Sequence, residues 1–462
     1  IRLVEEGFRK AFRGNWGADA HTKKLGVVQD LTRLSYFYSL SQLRKTNLPL
    51  AADGAKIVAP RRLNATQYGY LCPIHSPDGG NVGLHKHLSI STHITSGCSI
   101  VPYISYLKKI KIKFIEECSI KYISKSTKIF INGCWIGVTT TPFEITKIMR
   151  LHRRNNLINI YTSIFFDIKR NEIHICTDAG RPTRPLLYMF GDQLSIERDH
   201  ILKKFEVNNI SWNEIVYGFG NDKDYLRDEC KIKFTNAEIQ KLIHNSSVVE
   251  YIDTQEGEGM LLANSNMVRG QYFENRISHA EIHPSLILSI MANQCIYAPN
   301  NPYPRNAFSC GQGKQAVSLF HSNFTNRIDK SSLVLNYGQL PLTKSRYFSY
   351  ATKNQHPYGE NAIVAIMCYS GYNVEDAVII NGGSLKRGLF RTTYYNSYEA
   401  HEEKENVGGA KETKIFIDSM KNNQVSNLKE GFDYSKLNEH TGIIKENSTV
   451  DEKTIIMGMA VY

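Results

Sequence analysis

The sequence predicts a β-rich α+β chain of several domains, on three observations. Its 462 residues exceed what one hydrophobic core organises. From about residue 100 to 190 apolar residues alternate, and Asn132-Gly133 inside KIFINGCWIGVT is a strong two-residue hairpin signal. Residues 1–50 carry apolar side chains at helical spacing instead, among them Val28, Leu31, Leu34, Tyr38 and Leu43.

Taken in order, the amphipathic start IRLVEEGFRKAF reads as a helix rather than a signal peptide. The helical stretch to residue 50 gives way to a loop, 47–62, broken by Pro49, Gly54 and Pro60. YLCPIHSPDGGNVGL (70–84) is dense in turn residues. The alternating segment follows, with a short helix over 143–155 and strands around a turn in HICTDAGRPTRPLLYM (174–189). NAEIQKLIHN reads as helix and VEYIDT as strand, and 299–304 reads as a linker. The tail from 401 is polar, with two or three strands and a long loop. The first residue is Ile and the last apolar run stops abruptly, so an internal piece of a longer polypeptide is expected.

Net charge is +12, and residues 401–462 hold 8 Lys/Arg against 11 Asp/Glu, which leaves +15 on the first 400. That excess fits an anionic partner such as nucleic acid, and equally a lysine-rich solvated surface. No run of about 18 apolar residues is present, so no membrane-spanning helix is expected. Nine cysteines without a CxxC pair argue against a disulfide framework or a zinc ribbon and fit a reducing, intracellular compartment.

Four segments carry candidate chemistry. In YSGYNVEDAVIIN (369–381), Glu375 and Asp376 lie side by side between apolar runs. Neighbours on a regular strand face opposite ways, so both serve one site only if the backbone turns, and Gly371-Tyr372-Asn373 supplies a turn. Hard oxygen donors on a rigid loop suit Mg²⁺ completed by waters and substrate phosphates; a polar turn between two strands would read the same. RNAFSCGQGKQA (305–316) offers Arg305, Lys314 and Gln315 to phosphate oxygens, or is a helix start with surface cations. GQGK lacks the spacing and the hydroxyl residue of a P-loop. QYGYLCPIHSPDGGNVGLHKHLSIS brings together His75, His85 and His87 without a fourth ligand, so a backbone-presenting loop is favoured over zinc. Finally, Arg9, Arg13, Lys23, Lys24, Arg33, Arg44, Lys45, Arg61 and Arg62 interleave with Trp16, Tyr36 and Phe37, as in nucleic-acid backbone contact or a solvated helix pair.

In this order the segments resemble the second-largest, β-like subunit of multisubunit DNA-directed RNA polymerase. GNWG (14–17) with LSQLRKTNLPL resembles its fork region, and RRLNATQYGYLCPIHSPDGGNVGL its Cys-Pro…Pro-Asp-Gly signature. FINGCWIGV and TDAGRPTRPL resemble its external regions. EIHPSLIL with RNAFSCGQGKQA, then YSGYNVEDAVIIN with SLKRGLFR, resemble its hybrid-binding region. The likeness covers nearly the whole chain and is closer to the eukaryotic, archaeal and large-DNA-virus branch than to bacteria.

The resemblance implies a fork region (1–97), external region 1 (98–190), external region 2 (191–285, continued at 392–462) and the first part of a double-psi β-barrel hybrid-binding region (286–391). It implies template-directed nucleotidyl transfer from NTPs to an RNA 3′ end, active only with the largest subunit, alongside small assembly subunits, template DNA and nascent RNA. Asp376, with Glu375, would face a second Mg²⁺ that arrives with the NTP. Arg305 would meet the triphosphate, and Lys314 and Gln315 the RNA 3′ end and hybrid backbone. Gln29, Arg44 and Lys45 match fork positions near the hybrid. Arg61 matches a supporting basic position, and Asp78 the acidic residue of an active-centre loop. Zinc is not expected in this segment. The location implied is nucleus or cytoplasm, or a viral factory or virion for a viral chain. The other reading is a non-catalytic nucleic-acid-binding or assembly module derived from such a subunit.

Overall fold

The computed structural model describes residues 2–12, 29–48, 57–110, 112–191, 193–219, 236–264, 277–407, 410–417 and 428–461. GNWG and residues 49–56 of the 47–62 loop lie outside them. The chain forms two compact units, residues 1–325 with 333–393, and residues 326–332 with 394–462.

In the first unit, helical spacing overstates the length of the early helix. The helix is Tyr36–Leu43 and begins where the Ser35 hydroxyl accepts the Tyr38 N–H. Upstream, the Gln42 amide accepts the Thr32 N–H and donates to the Asp30 carbonyl, so 30–32 runs beside the helix instead of extending it. Lys45–Asn47 then pairs antiparallel with His85–His87. Phe37 and Cys72 from this part share one buried core with Met291, Ala292, Cys310 and Phe348, more than two hundred residues later. The turn-rich 70–84 segment and the Tyr303–Gln315 helix are therefore seated on the same apolar contact.

A second core lies under a five-stranded sheet in the order 113–114, 134–139, 127–131, 172–176, 163–167. Asn132 and Gly133 take φ of 46° and 82°, the backbone that the hairpin signal demands. Thr127–Ile131 alternates buried and half-buried residues, so Ile129 and Ile131 pack on Leu107, Ile145 and Met149 from helices Val101–Lys109 and Pro142–Arg154. The long strand Pro182–Phe190 organises a third layer, pairing with Gln193–Leu194, Val249–Asp253, His279–Glu281 and His93–Ile94. The 299–304 stretch, expected as a linker, is instead a helix approach: Pro302 and Pro304 sit at the N-cap and in the first turn of Tyr303–Gln315, where a missing N–H costs nothing.

Ions tie the second core to the third. Arg153, buried completely, donates to Glu250 Oε1 at 2.5 Å and to Glu256 Oε2 at 2.6 Å. Arg154 donates to Glu250 Oε2 at 2.9 Å, and His279 Nε2 lies 3.3 Å from the same atom. Burial pushes the Glu250 carboxyl up, yet Arg154 and Arg153 outweigh it and hold it well below the usual carboxylate range.

The second unit contains a three-stranded antiparallel sheet, Glu403–Val407, Ala410–Phe416 and Met459–Val461. No helix among the described residues is long and apolar enough to cross a membrane.

Replacing Arg153 with Met takes one charge partner from each of two buried carboxylates, leaving Glu250 with Arg154 and Glu256 with Arg150. Urea unfolding of this variant should show a loss of about 3–5 kcal/mol, partly recovered when Glu250 and Glu256 become Leu as well.

Candidate nucleotide and nucleic-acid site

The acidic pair occupies a turn of its own. The Ala377 N–H donates to the Val374 carbonyl at 3.3 Å across Glu375 and Asp376, whose φ angles are 56° and 64°. Positive φ at both central positions is the signature of a type I′ turn, which normally selects Asn and Gly. Placing Glu and Asp there costs roughly 1–2 kcal/mol per residue. The predicted turn at 371–373 lies just before it. Asn373 closes that turn, accepting the Tyr369 N–H on Oδ1 at 3.1 Å and donating from Nδ2 to the Met367 carbonyl at 2.6 Å. No strand ladder forms on either side of the turn among the described residues. From 361 to 383 every residue except Asn373 is exposed, Ile363 and Ile366 fully so.

Both carboxylates are exposed, and among the described residues neither has a cation at ion-pair distance. Two hard oxygen donors fit part of a Mg²⁺ shell and leave the rest to waters, phosphates or other protein groups. No cluster of three or more His, Cys, Asp or Glu is placed to hold a metal by itself among the described residues.

The Tyr303–Gln315 helix presents cations on two sides. Arg305 is exposed in the first turn, its guanidinium 5.5 Å from the Phe308 ring centre. Lys314 lies nine residues on, roughly 13 Å along the axis and about 180° around it. Gln315 is exposed beside it. Asn306, Ala307 and Cys310 anchor the helix: Asn306 Nδ2 donates to the Ala298 carbonyl at 2.8 Å, and Cys310 enters the shared core. At the far end the Ser35 hydroxyl donates to the Lys314 carbonyl at 2.5 Å. Lys314 is thereby brought against the 45–47/85–87 ribbon, where Lys45 stands opposite His87. Burial pushes the Lys314 ammonium down to about 8; the buried Cys310 thiol opposes this shift and Lys45 adds to it.

The other basic candidates divide. Arg44 Nη2 donates to the carbonyls of Ser89 at 2.7 Å and Thr92 at 2.8 Å, and burial lowers its pKa. Arg61 Nη1 donates to Gly80 at 2.7 Å and Val82 at 2.9 Å. It clasps the loop that carries the exposed Asp78, and Gly83 is required there because a Cβ would lie 2.3 Å from the Arg61 carbonyl oxygen. Gln29 is exposed at the start of a described stretch. The histidines are a packing device: the His75 and His87 rings stack with centres 3.5 Å apart. Burial drives both pKa values down, that of His87 to about 3, with Lys314 adding to it. The structure thus joins Lys45 to Lys314, a pairing that sequence separation hid. No hydrogen bond or ion pair among the described residues links the acidic turn to Arg305 or Lys314.

Three family models match the chain in order: RNA polymerase Rpb2 domain 3 over residues 29–94, domain 4 over 129–189, and domain 6 over 291–461. The last includes Arg305, Lys314 and the acidic turn. Over 99% of its length the chain is 33% identical to the DNA-directed RNA polymerase II subunit RPB2 of Encephalitozoon cuniculi. Over the same share it is 30% identical to DNA-directed RNA polymerase subunit 2 of Acanthamoeba polyphaga mimivirus and to subunit Rpo2 of Sulfolobus acidocaldarius. It spans 38% of the length of each of these relatives.

Two outcomes follow from this geometry. Exchanging Glu375-Asp376 for Asn-Gly should relieve the turn by about 1 kcal/mol after the entropy of the new glycine, slowing exchange of the Ala377 amide about fivefold. Because Lys314 loses its proton as pH rises through about 8, affinity for a short oligonucleotide should fall roughly tenfold across that interval beyond any change in a Lys314→Gln variant, measured by fluorescence anisotropy.

Proposed function

From the premise that this chain belongs to the second-largest-subunit family of multisubunit DNA-directed RNA polymerases, we propose that it forms part of a catalytic centre for template-directed nucleotidyl transfer from NTPs to an RNA 3′ end. One observation carries the proposal: two unpaired, exposed carboxylates are held at a backbone cost in a turn that a scaffold has no need to strain. Glu375 and Asp376 would hold an NTP-associated Mg²⁺ in part. That ion, when bound, neutralises charge on the transferring phosphates.

The chain's own side chains bind and orient. Arg305 presents a planar fork to triphosphate oxygens, with its ring contact to Phe308 limiting its sweep. Lys45 and Lys314 form a cationic floor for backbone phosphates, with Gln315 and Gln29 as neutral hydrogen-bonding groups. Arg44 and Arg61 act through the loops they hold, and Arg61 sets the position of Asp78. Contacts of this kind read the backbone rather than the bases, so binding is salt-dependent and tolerant of sequence.

The same reading makes the 45–47/85–87 ribbon part of a fork, the two β-rich layers external regions, and the exposed 361–381 segment a contribution to a double-psi β-barrel. Its exposed apolar side chains fit cover by further polymerase structure. The partners are the largest subunit, small assembly subunits, template DNA and nascent RNA, and the setting is the nucleus or the cytoplasm, including a viral factory.

Asp376→Asn in a full-length, reconstituted polymerase should lower kcat by about 10²–10³-fold at saturating NTP while assembly and promoter-independent DNA binding persist. Elongation at the wild-type rate would leave only the non-catalytic module.

A further inference from the structure

A small cavity lies beside the Tyr36–Leu43 helix, beneath the stacked imidazoles. Its volume open to the centre of a water-sized sphere is about 10 Å³, which admits a single water. Ser41, Arg44, His75 and His87 all line it. Each contributes a buried polar atom without a hydrogen-bond partner among the described residues: Ser41 Oγ, Arg44 Nε, His75 Nε2 and His87 Nε2. Ser41, His75 and His87 are each at least 95% buried.

The proton positions follow from the neighbours. His87 Nδ1 faces the His75 carbonyl at 3.2 Å, so Nδ1 carries the proton and Nε2 offers a lone pair. Ser289 Oγ accepts the Ala292 N–H at 3.2 Å and lies 2.7 Å from His75 Nδ1. Among the described residues its own proton has no other partner, so it goes to Nδ1 and leaves the His75 proton on Nε2. Arg44 Nε–H is a donor in any state. The cavity wall therefore holds two fixed donors, Arg44 Nε–H and His75 Nε2–H, one fixed acceptor, His87 Nε2, and one adaptable hydroxyl, Ser41 Oγ.

We propose that this cavity is a built site for one ordered water that accepts from Arg44 and His75 and donates to His87 and Ser41. An anion needs donors only and would meet the His87 lone pair; a metal cation would meet the Arg44 guanidinium. A water, with two protons and two lone pairs, completes all four atoms. It ties the fork-side helix to the histidine pair, and through Ser289 to the chain that leads into the Tyr303–Gln315 helix.

The test is a structure of the full-length subunit in its assembly, at a resolution that shows ordered water, with a parallel bromide soak. One compact density peak within hydrogen-bond distance of the four atoms, without anomalous bromide signal, is expected. An empty cavity, rings turned so that the Nε2 atoms pair within the protein, or a bromide peak would each overturn the proposal. His87→Phe keeps a stacked ring but removes the acceptor, so the peak should be lost; a peak of unchanged occupancy would refute His87 as its partner.

Discussion

The arrangement of the site depends on one apolar contact, the burial of Phe37 and Cys72 against Met291, Cys310 and Phe348. The two halves of that core are more than two hundred residues apart, and neither buries its apolar face alone. Once they meet, the Ser35 hydroxyl reaches the Lys314 carbonyl, and the last turn of the Tyr303–Gln315 helix is held against the ribbon carrying Lys45. Hydrophobic burial is non-directional, so it is the hydrogen bond at the helix end, and the anchoring of Asn306 on Ala298 at the start, that set rotation and register.

That contact concentrates positive charge where burial disfavours it. Lys45 and Lys314 approach one another, and the imidazoles beneath them stay neutral because burial and the neighbouring ammonium both oppose protonation. A site that keeps like charges together and partly desolvated is poised for an anion, whose arrival removes the repulsion. The acidic turn is the mirror case. Its carboxylates are solvated, so their cost lies in the backbone, and a dication can be bound without first breaking an ion pair.

The β-rich layers are held differently. There the Arg153–Glu250–Glu256 network joins a helix to a strand nearly a hundred residues away through charge-assisted hydrogen bonds. Such a network fixes relative position because its geometry tolerates little displacement.

Much of the fold was legible in local sequence. Asn132-Gly133, the 143–155 helix, the NAEIQKLIHN helix and the VEYIDT strand are each set by turn chemistry or periodicity within a few residues, and each is present within a residue or two of its expected bounds. The family likeness was also carried by local motifs, and so was the choice of Glu375, Asp376, Arg305 and Lys314 as candidates. The misreadings came from interactions between segments. Helical spacing at Leu31 and Leu34 was overridden by the Gln42 amide, and the carbonyls that Arg44 and Arg61 hold belong to loops brought over them by the fold. The sequence by itself determined which residue types are available and which turns they favour, because those preferences are settled by neighbouring dihedrals and side chains. Only the tertiary structure decided that Lys45 joins Lys314 and that the His75 and His87 rings stack, because burial and charge proximity are properties of distant segments packed together.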